Sequence, residues 1–213
     1  MELKEIVEFW GEQTRNSLGQ WVHPTDDEHF RANQHSFNLD FPVSPYVGDI
    51  LSAPIIILGA NAGYSASMTP SEFPDEAAMD AYLARVRRPS SSDWSFVSTY
   101  YGTVNYGPLL VTGKAALINA CPYRSPKISE EPENKRLLKH LPSVEFTRRW
   151  LLEAVMPLAD AGQKLVIAKR PGLWRLPAKV RQLSGVVVDP APVSPQITGV
   201  PWAAVQQRLQ ELA

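Results

Sequence analysis

The strongest constraint on the fold is a run of four apolar residues, 55–58, which is introduced by Pro54 and followed at once by Gly59. Three of the four are β-branched, and a short unbroken run of this kind is typical of a strand covered on both faces. The chain continues through Asn61 and Gly63. We therefore predict a buried strand that ends at Gly59 and leads into a polar loop.

Three later runs repeat this pattern. Residues 115–118 lead into Asn119, the apolar run after Gly185 ends at Asp189, and residues 165–168 lead into Lys169. In open α/β sheets, ligands bind at the carboxyl ends of the strands. A buried carboxamide or carboxylate is costly unless it is paired or used. We therefore expect Asn61, Asn119 and Asp189 to share one pocket.

Helical patterns alternate with these strands. Apolar spacing and end signals predict helices over residues 3–13, 75–88, 143–160 and 201–212, with Ser143 as an N-cap. This alternation predicts an α/β fold, a three-layer sandwich around a central, mostly parallel, four-stranded sheet. We expect a single domain over residues 1–213, in which residues 1–45 form an N-terminal helix and loop extension. Residues 14–50 and 124–142 are predicted to be loops, the second of them solvated.

Composition narrows the classes of partner and compartment. The net charge is −1, so a nucleic-acid partner would have to be held by a local basic patch. No apolar run reaches the length of a membrane span, and the N-terminus lacks a signal-peptide pattern, so we expect no membrane partner and a cytoplasmic location. The sequence contains no Gly-x-Ser-x-Gly elbow, which argues against a serine hydrolase, and it contains no Walker loop.

Cysteine and histidine usage gives little reason to expect a metal. The single cysteine, Cys121, excludes a disulfide framework, a thiolate-held iron–sulfur cluster or a Cys-rich zinc site within this chain, and we expect it to be buried and inert. His23, His29 and His35 recur every six residues, a spacing that shares neither a helix face nor a strand face. We predict no metal and no organic cofactor.

Aromatic residues are concentrated in one segment, residues 89–113. Such residues can line a base-stacking pocket, but they more often fill a core, and we favour core packing here. The members of this aromatic cluster are Trp94, Phe96, Tyr100, Tyr101 and Tyr106.

With these strand ends in hand, the chain resembles the uracil-DNA glycosylase superfamily over roughly residues 45–200. In that family a first strand ends in Gly-x-Asp-Pro-Tyr or Gly-x-Asn-Pro-Gly, and Gly59-Ala60-Asn61-Ala62-Gly63 is similar to it. A middle strand ends in an asparagine that reads the extruded base, which matches Asn119. A late loop, His-Pro-Ser-Pro-Leu-Ser or Asn-Pro-Ser, is similar to the stretch from Asp189 to Ser194.

The chain departs from the family pattern at several positions. Ala62 replaces the usual proline, Asp189 stands where the family has His or Asn, and Val193 stands where a leucine would wedge into the duplex. Some branches carry a tyrosine at the position of Gly63, which blocks substituents on pyrimidine C5. Glycine leaves that space open, so C5-modified pyrimidines become candidate substrates.

The resemblance implies a monofunctional DNA glycosylase that acts on a pyrimidine flipped out of DNA, in repair or in defence against phages with modified bases. Asn61 would orient the attacking water, and Asn119 would read the Watson–Crick edge of the base. Asp189 is either held protonated or faces the sugar and activates water, and we favour the second role. The other residues expected to bind the base are Gly59, Ala60, Gly63, Tyr64 and, by stacking, Phe73.

Contacts with DNA are expected from the loops beyond these strands. Ser65 and Ser194 would grip flanking phosphates, and Val193 occupies the wedge position. Lys169 and Arg170 either form a basic rim or belong to a solvated loop. We expect a monomer.

Two other classes of function stay open at this point. The chain could be a binding module of the same fold that has lost hydrolysis, or an unrelated α/β enzyme that acts on a free nucleotide.

Overall fold

A computed structural model of the protein describes residues 1–90, 94, 98–190 and 194–212. A two-stranded antiparallel pair, β1 (Thr14–Arg15) and β2 (Trp21–Val22), precedes the central sheet. The strands of the central sheet are β3 (Tyr46–Val47), β4 (Ile55–Gly63), β5 (Ala115–Ser125), β6 (Leu165–Ala168) and β7 (Val186–Val188). Their order across the sheet is β3-β5-β4-β6-β7.

The sheet confirms the α/β class and the mostly parallel arrangement, but it corrects the number of strands from four to five. Strands β4, β5, β6 and β7 run parallel, whereas β3 pairs antiparallel to β5. The fifth strand, β3, was missed because it is two residues long, too short for a period to be visible in the sequence. Residues 55–58 are fully buried, as the unbroken apolar run predicts.

Helices flank the sheet, which fits a three-layer arrangement. They are α1 (Glu5–Trp10), α2 (Asp27–Ala32), α3 (Thr69–Glu72), α4 (Glu76–Arg87), α5 (Gly107–Val111), α6 (Pro132–Leu138), α7 (Pro142–Trp150), α8 (Met156–Asp160) and α9 (Gly199–Glu211). A π-helical segment, Leu151–Val155, joins α7 to α8. Short 3-10 helices cover Pro24–Asp26, Thr99–Thr103, Ile128–Glu130 and Val180–Gln182.

The four predicted helices are present, with one error at a helix start. Leu141, not Ser143, occupies the N-cap position of α7, and the Ser143 hydroxyl donates instead to the Asp26 carboxylate. Pro142 starts the helix because its fixed φ suits the first turn. Gly162 follows α8 with φ of 71°, a conformation that glycine adopts without strain.

The two segments predicted as loops contain regular structure. Residues 14–50 include β1, β2, α2 and β3, and residues 124–142 include α6, with Asn134 buried. Both were misread because their elements are two to seven residues long and are held by tertiary contacts. Buried apolar side chains from Ile6 to Val205 form one cluster, so the N-terminal extension packs on the same core as the sheet. Within the described residues, no helix is both long and apolar enough to cross a membrane.

Candidate functional site

A cavity of about 670 Å³ opens where β4, β5 and β6 approach their carboxyl ends. Its size is within the range of small-molecule sites in proteins. Except for Asp189 and Val193, every site residue predicted from the sequence lines this strand-end cavity. Val193 lies outside the described residues. The predicted residues that line the cavity are Gly59, Ala60, Asn61, Gly63, Tyr64, Ser65, Phe73, Asn119, Lys169, Arg170 and Ser194.

The cavity arises from a difference in strand length, which corrects the predicted strand ends. Strand β4 continues to Gly63 and β5 to Ser125, so Asn61 and Asn119 lie inside strands rather than in the loops after them. Pairing of β4 with β6 stops at Leu58↔Ala168, while pairing with β5 continues through Gly59↔Asn119. The edge of β4 that faces β6 is therefore unpaired from Gly59 onwards, where the polar part of the strand begins.

Asn119 is held so that its amide oxygen is free for a ligand. Its Nδ2 donates to the carbonyl oxygen of Ser44 at 2.9 Å. A carbonyl can only accept, so this bond fixes which end of the amide is which. Oδ1 accepts no hydrogen bond from the described residues. It lies so close to Gly59 that a Cβ added there would meet it at 3.0 Å. A side chain at position 59 would therefore press on this acceptor and shift it by a few tenths of an ångström.

Asn61 is oriented in the same way from the neighbouring strand. Its Nδ2 donates to the Ser125 carbonyl oxygen at 2.9 Å, and the Ser125 hydroxyl is 3.4 Å away. The Asn61 Oδ1 accepts no hydrogen bond from the described part of the chain. The cavity thus has two amide acceptors, each fixed by a bond from its own Nδ2 to a backbone carbonyl.

The first motif ends at Gly63, which borders open space, and the chain then turns into α3. A Cβ added at Gly63 would meet nothing within 4 Å, so the space predicted at this position is present. The Tyr64 amide donates to the Ser125 carbonyl at 3.1 Å, which keeps the chain beside β5. The Ser65 hydroxyl accepts from the Met68 amide at 3.3 Å and contacts the Ser67 hydroxyl at 3.1 Å, so it braces the turn into α3.

Phe73 is packed by other side chains on the cavity wall. Its ring centroid is 5.7 Å from that of Phe41 and 5.4 Å from that of Tyr82. The Arg124 guanidinium lies over the ring, with Cζ 4.9 Å from the centroid. A ligand that stacks on Phe73 shares the ring with this guanidinium.

Arg124 is the principal cavity residue that sequence reasoning missed. The mixed charge of residues 124–142 predicts a solvated loop, yet Arg124 is only 7% exposed. Its Nε donates to the Pro42 carbonyl at 3.1 Å and one Nη donates to the Gly63 carbonyl at 3.4 Å. Burial lowers the pKa of Arg124, while Tyr82 and the Glu72 carboxylate raise it in part. A usable signal was present, because residues 120–123 continue the apolar run that precedes it.

Asp189 does not line the cavity, which contradicts its expected convergence with the two asparagines. It is 2% exposed, and its Oδ2 is 3.4 Å from the Lys169 Nζ. Its backbone amide donates to the Ala168 carbonyl at 3.1 Å, so the residue extends the last strand pairing. Asp189 therefore contacts a residue of the cavity wall, Lys169, but does not line the cavity itself.

Lys169 lines the cavity but is buried, which contradicts the solvated loop predicted as one alternative for it. Its Nζ donates to the carbonyl oxygens of Ser194 at 2.7 Å and Gln196 at 2.9 Å. Burial lowers the pKa of Lys169, and Asp189 raises it in part. Lys169 and Asp189 together hold the loop that carries Ser194, whose hydroxyl accepts from the Gln196 amide at 3.1 Å.

Arg170 remains the residue suited to a rim. It has φ of 59°, a left-handed conformation that costs energy for any residue except glycine. Its half-buried side chain lines the cavity and makes no hydrogen bond or ion pair with the described residues.

Local charge at the cavity differs from the charge of the chain. Four cationic side chains line it, whereas Glu72 is the carboxylate among its described lining residues. A chain of net charge −1 thus presents a locally basic cavity. The cations are Arg85, Arg124, Lys169 and Arg170.

The aromatic cluster divides between core and cavity. Trp94 and Tyr106 are buried, as core packing predicts, whereas Tyr100 is 44% exposed. All three line the cavity, together with Tyr101. Phe96 lies outside the described residues.

Cys121 and the histidines take no part in the cavity. Cys121 is buried, as predicted, its thiol donates to the Tyr123 carbonyl at 3.4 Å, and burial raises the pKa of the thiol. His23 stacks on Phe9 with ring centroids 3.9 Å apart. No group of three or more His, Cys, Asp or Glu side chains suited to a metal occurs in the residues that the structure describes.

Comparisons with protein-family models, with curated proteins and with solved structures find no match to this chain. The resemblance to the uracil-DNA glycosylase superfamily therefore depends on the motifs alone.

Proposed function

We propose that the protein is a DNA glycosylase that hydrolyses the N-glycosidic bond of a flipped pyrimidine and leaves an abasic site. One observation carries this proposal. Two amide oxygens, on Asn61 and Asn119, are held as acceptors on one basic cavity at the carboxyl ends of parallel strands. Such a cavity can hold both the polar edge of a base and the water that attacks its sugar.

Asn119 would select the base. An acceptor whose orientation is fixed requires a donor on the ligand, which uracil and thymine supply as N3–H and cytosine supplies as its amino group. The second Nδ2 hydrogen of Asn119 stays available for an acceptor on the same edge. The site thus favours a pyrimidine whose edge combines a donor with an acceptor.

Asn61 would position the water. Its Oδ1 accepts a hydrogen bond from the water, whose oxygen attacks C1′ as the bond from C1′ to the base nitrogen breaks and the base leaves with the bonding electrons. The proton that the water loses passes through solvent to the departing base anion, which leaves as the neutral base. The basic cavity stabilises the negative charge that develops on the departing base. The half-buried Arg170 would contact a phosphate next to the flipped nucleotide.

The test is an excision assay on a panel of labelled oligonucleotides. The panel contains uracil, a thymine mismatch, cytosine and C5-substituted cytosines, in single and double strands, and abasic product is detected by strand cleavage in alkali. Product from at least one pyrimidine, with none from purines, is the expected result. Absence of product from the entire panel would overturn the proposal.

A second candidate is a binding module without hydrolysis, and the position of Asp189 favours it. The carboxylate that could activate water is buried beside Lys169 and does not line the cavity. This candidate predicts oligonucleotide binding that weakens steeply with salt, without abasic product. If the protein bound free nucleotides but not oligonucleotides, the result would instead indicate an enzyme that acts on a small molecule.

A further inference from the structure

A second cavity, of about 170 Å³, lies between β5 and the helices α6 and α7. Ala120 lines it, whereas Asn119, the preceding residue on β5, lines the strand-end cavity. Successive side chains of a strand point to opposite faces of the sheet, so the two cavities lie on opposite sides of β5. We call the second one the helix-side cavity, since residues of α6, of α7 and of the turn at 172–175 form most of its wall.

The helix-side cavity has an apolar interior and a cationic edge. Its most buried lining residues, each at most 5% exposed, are Ala120, Leu138 and Trp174. The half-buried Val144 and Leu173 are also apolar. Three cations are among its exposed lining residues, namely Lys135, Lys139 and Arg175. The interior therefore suits an apolar group, and the edge suits negative charge.

The cationic edge is not neutralised by the described residues. The side chains of Lys135, Lys139 and Arg175 form no ion pair or hydrogen bond with them. Glu145, the carboxylate among the described lining residues, is already paired, because its Oε1 is 2.9 Å from an Nη of Arg148. The Arg148 Nε is buried and has no hydrogen-bond partner in the described part of the chain. A ligand at this edge would therefore meet four cations and one paired carboxylate.

Arg175 has a backbone conformation that favours glycine. Its φ is 49°, in the left-handed region, which costs energy for other residues. The turn around it is closed by the Leu176 amide, which donates to the Pro171 carbonyl at 3.1 Å. Strained positions of this kind are typical of functional sites. Because glycine would form this turn without strain, the strain is a second indication that the Arg175 side chain serves a ligand.

We propose that the helix-side cavity is a docking site for an acidic segment of a partner protein. One large apolar side chain of that segment, leucine or phenylalanine, fills the cavity, and carboxylates on either side of it contact the cationic edge. The volume suits a single side chain, because an apolar cavity of about 150 Å³ holds one benzene ring, whereas sites for whole small molecules measure about 300–1,000 Å³. Apolar anchors surrounded by a polar rim carry most of the binding energy at protein interfaces. This inference does not rest on the proposed function.

A nucleotide is a poorer occupant of the helix-side cavity. The polar edge of a base needs partners, but the Trp174 Nε1 already donates to the Gly59 carbonyl at 2.8 Å. Stacking requires an exposed aromatic face, and Trp174, the aromatic lining residue, is only 2% exposed. The phosphates of DNA can still compete for the exposed cations, so oligonucleotides belong in the test.

The first experiment measures binding of the pentapeptides acetyl-Asp-Glu-X-Asp-Glu-amide by titration calorimetry. Position X is leucine, phenylalanine, alanine or asparagine, and a neutral panel has asparagine and glutamine in place of the acids. We expect the leucine or the phenylalanine peptide to bind about tenfold or more tightly than the alanine peptide, as burial of one large side chain provides. The neutral peptides should bind about tenfold more weakly than their acidic counterparts. Equal affinities for every X, or no binding by any acidic peptide, would overturn the proposal.

Substitutions on α6 assign the binding to this cavity. Lys135→Glu reverses a charge at the cationic edge and should weaken the tightest peptide about tenfold or more. Arg136→Glu is the matched control, since Arg136 is also exposed in the last turn of α6, does not line the cavity and changes the net charge equally. Its effect should be less than about threefold. Equal weakening by the two substitutions would show a response to net charge alone and would reject the site.

Arg175→Gly separates binding from stability. Glycine relieves the left-handed strain, so the melting temperature should rise by about 2 °C while the affinity for the tightest peptide falls about tenfold. Arg175→Lys keeps the charge and should keep most of the affinity. If Arg175→Gly bound the peptide as tightly as the unaltered protein, the cationic edge would not be used and the proposal would be wrong.

Oligonucleotides distinguish a protein partner from DNA. Single-stranded and double-stranded oligonucleotides should not displace the peptide, because the strand-end cavity is on the other face of the sheet. Displacement, together with DNA binding that Lys135→Glu weakens, would show that this face contacts DNA and would overturn the proposal. Peptide binding by a protein that forms no abasic product would retain the docking site and reject the glycosylase, and abasic product without peptide binding would do the reverse.

Discussion

Two buried polar regions of this protein contain similar side chains but differ in whether those side chains find hydrogen-bond partners within the protein. Beneath α7, the Asp26 carboxylate accepts hydrogen bonds from the Tyr123 hydroxyl at 2.6 Å and the Ser143 amide at 3.0 Å. The Tyr123 hydroxyl in turn accepts from the His23 amide at 3.1 Å. In the strand-end cavity, by contrast, Asn61, Asn119 and Arg124 each keep donors or acceptors that the described residues do not use.

The difference teaches how to distinguish a structural polar network from a site. The Asp26 network is closed, because the chain itself supplies its partners, and removing one member leaves the others unsatisfied. The cavity is open, because its strands hold one end of each polar group and leave the other end for a ligand. Substitutions in the Asp26 network should therefore lower stability, and substitutions in the strand-end cavity should lower ligand binding or turnover.

The largest effect is expected at Asn61. Asn61→Ala removes the acceptor that positions water, so abasic product formation should fall by about a hundredfold or more, as measured in single-turnover assays. The melting temperature should change little, because the lost bond from Nδ2 is at the edge of the cavity. If Asn61→Ala lost stability but kept its excision rate, the role of Asn61 would be structural, like that of the Asp26 network.

The converse is expected at Asp26. Asp26→Ala leaves the Tyr123 and Ser143 donors without an acceptor and should lower the free energy of unfolding by about 2–4 kcal/mol, measured by urea denaturation. The folded fraction should bind oligonucleotides normally. Asp80→Ala is the control, since Asp80 is exposed on α4 and a substitution at such a position changes stability by less than about 0.5 kcal/mol. Equal effects of the two substitutions would show that the network is not closed.

Asp189 tests the boundary between the two regions. Asp189→Asn weakens the contact with Lys169 and hence the hold on the loop of Ser194, so stability should fall by about 1–2 kcal/mol. DNA binding and product formation should decrease together. Asp160→Asn, exposed at the end of α8, should change stability by less than about 0.5 kcal/mol. A fall in product formation alone would restore the direct role at the sugar that the sequence suggests.

The smallest effect is a pH dependence from His23. Burial lowers the pKa of His23 from 6.5, and the Phe9 carbonyl, Asp26 and Glu12 raise it in part. The unfolded state therefore binds the proton first as pH falls, so stability is highest above pH 6.5 and decreases until pH passes the lowered folded-state pKa.

Denaturation curves at several pH values measure this loss. His23→Gln should make the curve flatter below pH 6.5, while the contribution of His35, whose pKa burial also lowers, should remain in both proteins. An unchanged pH profile in His23→Gln would show that the His23 side chain does not contribute to the pH dependence of stability.

Sequence reasoning succeeded where a local signal coincides with burial. The run at residues 55–58 is fully buried in a central strand, and the helix predicted over residues 75–88 is present as α4, with its buried residues on one face. It failed where an element is too short to show a period, as in β3, or where a strand continues through polar residues, as in β5. There the partner strand, and not the local pattern, decides the conformation.

The candidate site follows the same division. Patterns along the chain were enough to place Asn61 and Asn119 at one edge of a parallel sheet, because unbroken apolar runs force strands into the interior and parallel strands align their carboxyl ends. They could not decide that Asp189 is enclosed with Lys169, or that Arg124 enters the cavity beside Gly63. Those outcomes depend on which strand ends first and which carbonyl lies within reach of a side chain. Such distances exist only once segments far apart in the chain are packed together.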